Sequence, residues 1–84
     1  MSGPSDERIR GTIDELLDGR REGATICPSE AARALRPDGD WRALMDDVRR
    51  VATGETDAGR LEVRQGGQRV DPRTARGPIR LARP

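Results

Sequence analysis

This 84-residue sequence predicts an α+β fold, and three observations carry the prediction. Three segments have apolar residues at helical spacing, a short extended segment separates the first two, and alternating residues surround a Gly-Gly pair after the third. Hydrophobic residues make up only 32% of the chain and charged residues 37%. The core must therefore be small, and the periodic apolar positions must supply nearly all of it.

The first helix is predicted from a stripe of apolar residues: Ile9, Ile13, Leu16 and Leu17. Ser5 or Asp6 is expected to cap its start, and Gly23 is expected to end it. Residues 1–4 are expected to be a disordered start, which leaves 5–82 as one folded domain. The stretch "ATIC" after the helix is expected to be extended.

The second helix is predicted to begin at Pro28, because proline suits the first helical position, where its missing N–H costs nothing. Glu30 then stands where its carboxylate can reach back to an orphan backbone N–H. Cys27 is a poor capping residue, so Thr25 or Ser29 is expected to help. The inward residues are Ala31, Ala32 and Leu35, and "PDGD" ends the helix.

The third helix is predicted over 40–57, with Asp40 as its cap and Gly59 as its terminator. Its apolar stripe runs through Trp41, Leu44, Met45, Val48, Val51 and Ala52. The opposite face holds Arg42, Asp46 and Arg50 at intervals of four residues, so Asp46 is expected to bridge both arginines.

A β hairpin is predicted over 60–71, with Gly66-Gly67 as a two-residue turn. This turn places Gln65 opposite Gln68 and Arg64 opposite Arg69, and it puts Val63 and Val70 on one side. Either an anion between Arg64 and Arg69 relieves the repulsion of these like charges, or Glu62 and Asp71 complete a neutral checkerboard of opposite charges. The end of the chain, "GPIRLARP", is expected to be either a further short strand or a docked tail.

This order of elements is that of a winged helix-turn-helix: three helices with a small antiparallel β hairpin as the wing. A three-helix bundle with a basic tail is the alternative. The stretches "TICPSEAARAL", "WRALMDDVRRVA", "GRLEV" and "RGPIRL" also resemble a small bacterial family of uncharacterised domains, over about residues 9–82. The resemblance implies a winged-helix fold and no established activity. Some relatives have an added zinc-binding segment, which this sequence lacks.

Several function classes are disfavoured by composition. The chain has no His and one Cys, so it offers no His-dependent catalytic triad, no usual zinc spacing and no internal disulfide. Cys27 is expected to be a buried structural thiol rather than a nucleophile. We therefore expect a protein that is not an enzyme, with no catalytic residue, cofactor, metal or small-molecule substrate. Without an apolar signal or a membrane-length segment, and with an unpaired thiol, it is expected to be cytoplasmic.

The charges are distributed unevenly, and this asymmetry suggests an anionic partner. Residues 1–47 hold eleven acids and seven arginines, a net charge of −4, whereas residues 48–84 hold four acids and nine arginines, a net charge of +5. DNA binding is expected through the third helix, the wing and the Arg-rich end. The candidate contact residues are Arg42, Arg49, Arg50, Arg64, Arg69, Arg76 and Arg80.

Two alternatives to DNA binding stay open at this point. The acidic and basic halves could pack on each other, with Arg73, Arg76, Arg80 and Arg83 neutralising the acidic first helix. The exposed surface could also bind another protein or a second copy of the chain.

Overall fold

Three helices and a four-stranded antiparallel sheet make up residues 3–84, the part of the chain that the computed structural model describes. In chain order the elements are α1 (Asp6–Asp18), β1 (Thr25–Ile26), α2 (Pro28–Leu35), a 3-10 helix (Trp41–Leu44), α3 (Met45–Asp57), β2 (Glu62–Gln65), β3 (Gln68–Arg69) and β4 (Arg80–Ala82). The predicted α+β class is confirmed. Of the expected disordered start, Met1 and Ser2 lie outside the described residues, and Gly3 lies beside the side chains of Arg36 and Leu44.

Helix α1 begins where the sequence predicted and ends earlier. The Ser5 hydroxyl accepts a hydrogen bond from the N–H of Arg8 at 3.2 Å, which confirms Ser5 as the cap. The prediction that Gly23 ends the helix is wrong, because Gly19 closes it with an N–H bond to the Glu15 carbonyl at 3.1 Å. The apolar stripe stops at Leu17, so a longer helix would have no further side chain to bury.

Helix α2 has the predicted start. Pro28 is its first residue, and the Glu30 carboxylate accepts a hydrogen bond from the backbone N–H of Cys27 at 2.7 Å. Cys27 itself occupies the capping position, so neither Thr25 nor Ser29 replaces it there. This bond from the Cys27 N–H to the Glu30 carboxylate compensates for the weak capping ability of the cysteine side chain.

The predicted third helix is two elements instead of one. Its first turn, Trp41–Leu44, is a 3-10 helix, and the α-helix begins only at Met45. Asp40 stands at the predicted capping position, but its side chain makes no capping hydrogen bond. The helix ends at Asp57 as predicted, and Gly59 follows with φ of +77°.

The strands lie in the order β1-β4-β2-β3, and every neighbouring pair is antiparallel. Strand β4, formed by the segment that could have been a strand or a tail, is therefore an inner strand. It pairs with β1 through Ile26 opposite Leu81, and with β2 through Val63 opposite Leu81.

The hairpin between β2 and β3 has the predicted register. Gln65 lies opposite Gln68, and Arg64 lies opposite Arg69. Gly66 and Gly67 both have positive φ, at +57° and +80°, which a type I′ turn requires and which glycine adopts without strain. Beyond β3, residues 70–79 form a loop that leads back to β4.

One core lies between the helices and the inner face of the sheet. Its buried apolar residues are Ile9, Ile13, Leu17, Ile26, Ala31, Ala32, Leu44, Val48, Val51, Ala52, Leu61, Val63, Ile79 and Leu81. Trp41 and Met45, which the helical stripe placed inside, are only half-buried against it. Among residues 3–84, no helix has the length and apolar character needed to cross a membrane.

Candidate functional site

The seven arginines predicted to contact nucleic acid lie on four parts of the fold. Arg42 is in the 3-10 helix, Arg49 and Arg50 are on α3, and Arg76 is in the loop 70–79. The remaining three lie side by side across the sheet, with Arg64 directly opposite both Arg69 and Arg80. Neighbouring positions in a sheet share a face, and Val63 and Leu81 take the core side, so these three arginines lie on the outer face.

Arg50 is engaged by α1. Its two terminal nitrogens donate to both carboxylate oxygens of Asp6 at 2.8 Å, and one of them also lies 3.4 Å from Asp47. The hydrogen bonds from Arg50 hold the pKa of Asp6 below its ordinary value, and Asp6 in turn raises the pKa of Arg50. The predicted bridge from Asp46 to Arg50 is wrong, because α1 supplies a better-placed carboxylate.

Arg64 is engaged on its own strand. Its Nε donates to the Glu62 carboxylate at 2.6 Å, since residues two apart on a strand share a face. The predicted checkerboard is wrong: Glu62 lies opposite Ala82, and Asp71 turns away to accept the N–H of Arg73 at 2.9 Å. Like charges therefore remain opposite one another across the outer face.

Arg49 and Gln65 tie the loop 70–79 to the rest of the fold. The Arg49 guanidinium donates to the Gly77 carbonyl at 3.3 Å, and the Gln65 amide donates to the Pro78 carbonyl at 3.1 Å and to the Arg76 carbonyl. These contacts bring the Arg76 residue close to the exposed flank of α3. They use backbone carbonyls as acceptors, so the charge on Arg49 is not neutralised.

A cleft of about 440 Å³ opens between the end of α3 and the start of this loop. The Arg73 guanidinium crosses it and grips Asp57 with two hydrogen bonds, one of them at 3.0 Å. These bonds hold the pKa of Asp57 below its ordinary value. Both acids that line the cleft, Asp57 and Asp71, form ion pairs with Arg73.

The carboxylates that have no ion pair all lie outside the segment 60–84. Within residues 3–84 they are Glu7, Glu15, Glu22, Asp38, Asp40 and Asp46. Five of the predicted contact residues have no carboxylate within 4.0 Å, and we call them the unpaired arginines: Arg42, Arg49, Arg69, Arg76 and Arg80. In 60–84 the two acids, Glu62 and Asp71, are both paired. Three arginines of that segment, Arg69, Arg76 and Arg80, lack a carboxylate partner in the described chain, whereas Arg60 and Arg83 pair with acids outside it.

The Arg-rich end of the chain is divided between the two predicted roles. Arg83 contacts the carboxylates of Asp14 and Asp18 on α1, which is the predicted neutralisation of the acidic helix. Arg80 instead donates to the Thr25 hydroxyl at 2.8 Å and to its carbonyl at 3.1 Å. Arg76 forms no ion pair within the described chain.

A buried ion cluster was missed by the sequence analysis. Glu55 is only 6% exposed, and its carboxylate lies 2.6 Å from an Arg60 nitrogen and 3.2 Å from Nε of Arg10. The bonds from Arg60, followed by the charges of Arg60 and Arg10, hold the pKa of Glu55 below its ordinary value. The signal was present, because Glu55 continues the stripe three and four residues after Ala52 and Val51.

Two further observations concern metals and thiols. Among residues 3–84, no group of three or more His, Cys, Asp or Glu side chains is arranged to hold a metal ion. Cys27, expected to be buried, is half-buried at the start of α2, and its thiol is not in a disulfide.

The family model described as "Protein of unknown function (DUF3253)" matches residues 6–84, which is nearly the whole chain, and the chain belongs to that family. A search of curated proteins finds no match.

Proposed function

We propose that this domain, a member of a family of unknown function, is a winged helix-turn-helix that binds duplex DNA in the cytoplasm. The fold part of the proposal is supported by the order of the elements and by the pairing of β1 with β4. The segment from β2 through β3 and the loop 70–79 then corresponds to the wing.

One observation carries the DNA-binding part: the unpaired arginines lie on the flank of α3, on the wing and on the outer sheet face. Every carboxylate in 60–84 is already held by an arginine, so an approaching phosphate meets cationic groups without a competing acid. Arg49 and Arg80 also make structural hydrogen bonds, to Gly77 and Thr25, whereas the side chains of Arg69 and Arg76 make neither ion pairs nor hydrogen bonds within residues 3–84.

We expect helix α3 to contribute less to DNA binding than the corresponding helix does in many winged-helix proteins. Outside the core it holds Asp46, Asp47 and Asp57 against two arginines, and Arg50 is engaged by Asp6. Its exposed face is therefore acidic, and it would repel a phosphate backbone in the major groove. We expect the wing, with Arg69 and Arg76, to supply most of the affinity.

Fluorescence anisotropy of a labelled random duplex, titrated with protein at several salt concentrations, tests the proposal. Wild-type protein should bind, and affinity should fall steeply between about 50 and 200 mM salt, because binding phosphates releases counterions. The double variant Arg69→Gln/Arg76→Gln should lose affinity and lower the slope of log K against log salt by about two.

The double variant Arg8→Gln/Arg21→Gln is the matched control. Both of these arginines are exposed and lie on or just after α1, and neither has an ion pair within residues 3–84. It removes the same total charge and should leave the slope unchanged. Absence of binding at low salt, or an equal loss in the control, would overturn the proposal.

A second candidate function is self-association, favoured by the complementary charges of two surfaces. Glu7, Glu15 and Glu22 lie unpaired on α1 and just after it, whereas the unpaired arginines lie on other elements. Light scattering at low and high salt tests this candidate. A salt-sensitive oligomer without DNA binding would favour it, and a monomer at all salt concentrations would exclude it.

A further inference from the structure

Trp41 holds two arginines by stacking. It is the chain's single aromatic residue, and it lies in the 3-10 helix, half-buried against the core. The guanidinium carbon of Arg33, from α2, lies 4.4 Å from the ring centroid, and that of Arg42 lies 4.5 Å from it. The two guanidinium carbons are thus at most about 9 Å apart, although they come from different helices.

Stacking orders a guanidinium in a different way from an ion pair. An ion pair such as Arg50 with Asp6 uses the N–H groups of the arginine, whereas contact with a ring face leaves the N–H groups at the edge unused. Within residues 3–84, neither Arg33 nor Arg42 has a carboxylate within 4.0 Å. Both are therefore held in place with their donors unfilled.

Acidic residues close to the stack in sequence form no ion pair with its two arginines. Arg36, at the end of α2, adds a third cation, and Asp38 and Asp40 lie exposed in the turn between the two helices. These acids leave a local net charge of +1, and they form no ion pair with the stacked arginines. Asp38 and Asp40 thus lie close in sequence to the two stacked arginines and still form no ion pair with them.

We infer that Arg33 and Arg42, positioned by Trp41, form a phosphate-binding clamp for the DNA backbone. The inference rests on the proposed function and adds a contact site at the turn between α2 and α3, apart from the wing. Phosphate suits the clamp because its several acceptor oxygens can meet two guanidinium forks at once. A spacing of at most about 9 Å also admits two successive phosphates of one strand.

Trp41 provides the measurement, since its emission is the only tryptophan signal of the protein. Wild-type protein is titrated with duplex DNA and, separately, with inorganic phosphate. Both should change the emission, because an anion that binds the guanidiniums shifts them on the ring face. Sodium chloride at matched ionic strength should give a smaller change.

Variants assign the change to the clamp. Arg33→Gln/Arg42→Gln should weaken duplex binding several-fold and lower the slope of log K against log salt by about two, as loss of two phosphate contacts requires. Arg8→Gln/Arg21→Gln, with the same loss of charge, should bind as wild type. Trp41→Leu should weaken binding although both arginines remain, and Trp41→Phe should restore part of it. Circular dichroism establishes that each variant is folded.

The outcomes separate the two proposals. Duplex binding that is unchanged in Arg33→Gln/Arg42→Gln overturns the clamp and leaves the DNA-binding proposal standing. A phosphate-induced emission change that needs both arginines, without any duplex binding, supports the clamp as a phosphate site and overturns DNA binding. No emission change with either probe overturns the clamp, and the absence of duplex binding in the anisotropy titration as well overturns both.

Discussion

Arginine has opposite roles in two regions of the molecule. At the interface between α1 and α3 it forms ion pairs, and on the surface of the unpaired arginines it forms none. At the interface, Arg10 and Arg60 contact the buried Glu55, and Arg50 grips Asp6. On the other surface, Arg69 and Arg76 have no carboxylate within 4.0 Å among residues 3–84. All 16 basic residues of the chain are arginine. Only their contacts therefore distinguish the arginines that form ion pairs within the fold from those that are left unpaired.

The largest expected effect is at Glu55. Glu55→Ala should lower the free energy of unfolding by about 2 kcal/mol, because it leaves two arginines without their shared carboxylate. The loss should be smaller than for a fully buried pair, since the side chains of Arg10 and Arg60 are 41% and 60% exposed and can reach water. Urea denaturation measures it. Glu15→Ala, an exposed carboxylate without an ion pair, is the control, and an equal loss there would contradict the distinction.

The pH dependence of stability should follow the same carboxylate. The folded-state pKa of Glu55 lies below the ordinary value of 4.5, so its contribution is complete above that pH and is lost as pH falls through the folded-state pKa. Asp6 and Asp57 act in the same direction. Urea midpoints should therefore fall below about pH 4.5, and Glu55→Gln should flatten that fall. If the urea midpoint of Glu55→Gln falls with pH as steeply as that of the wild type, the titration responsible belongs to another group.

Two glycines, one in helix α3 and one in the hairpin turn, differ in backbone conformation, so substitution by alanine should affect stability in opposite directions. Gly54, inside α3, has no atom within 4 Å of an added Cβ, so Gly54→Ala should stabilise the protein by about 0.5–1 kcal/mol. Gly67, in the hairpin turn, has φ of +80°, so Gly67→Ala should destabilise it by about 1 kcal/mol. Thermal unfolding of the two variants measures both signs. The same sign for both would contradict the assigned conformations.

The smallest effect on stability is expected at the unpaired arginines. Arg69→Gln/Arg76→Gln should change the free energy of unfolding by less than about 0.5 kcal/mol, because neither side chain has an ion pair to lose. The same variant is expected to lose DNA affinity. A clear loss of stability would show that these arginines hold the fold together after all.

Local patterns predicted the local features of this fold. The start of α1 at Ser5, the bond from Cys27 to Glu30 and the register of Arg64 with Arg69 each depend on residues within a few positions of one another. Hydrogen bonding and turn geometry fix such features without reference to the rest of the chain.

Long-range partners were beyond the same reasoning. Asp6 lies 44 residues from Arg50, and helical spacing alone favoured the nearer Asp46. For the candidate site, the sequence supplied the arginines but not their partners. It could not tell that Arg50 and Arg64 are engaged by carboxylates while Arg69 and Arg76 are not.

The inner position of β4 has a consequence for how the protein folds during synthesis. The helices, with all their mutual contacts, lie within residues 6–57, so they can begin to pack while the chain is still growing. The sheet cannot, because β1 pairs with Ala82 across 57 residues and β2 also needs β4 as its neighbour. Until residues 80–82 leave the ribosome, β1 and β2 lack their shared neighbour and expose unpaired edges. The nascent chain is therefore open to mispairing with other chains during that interval.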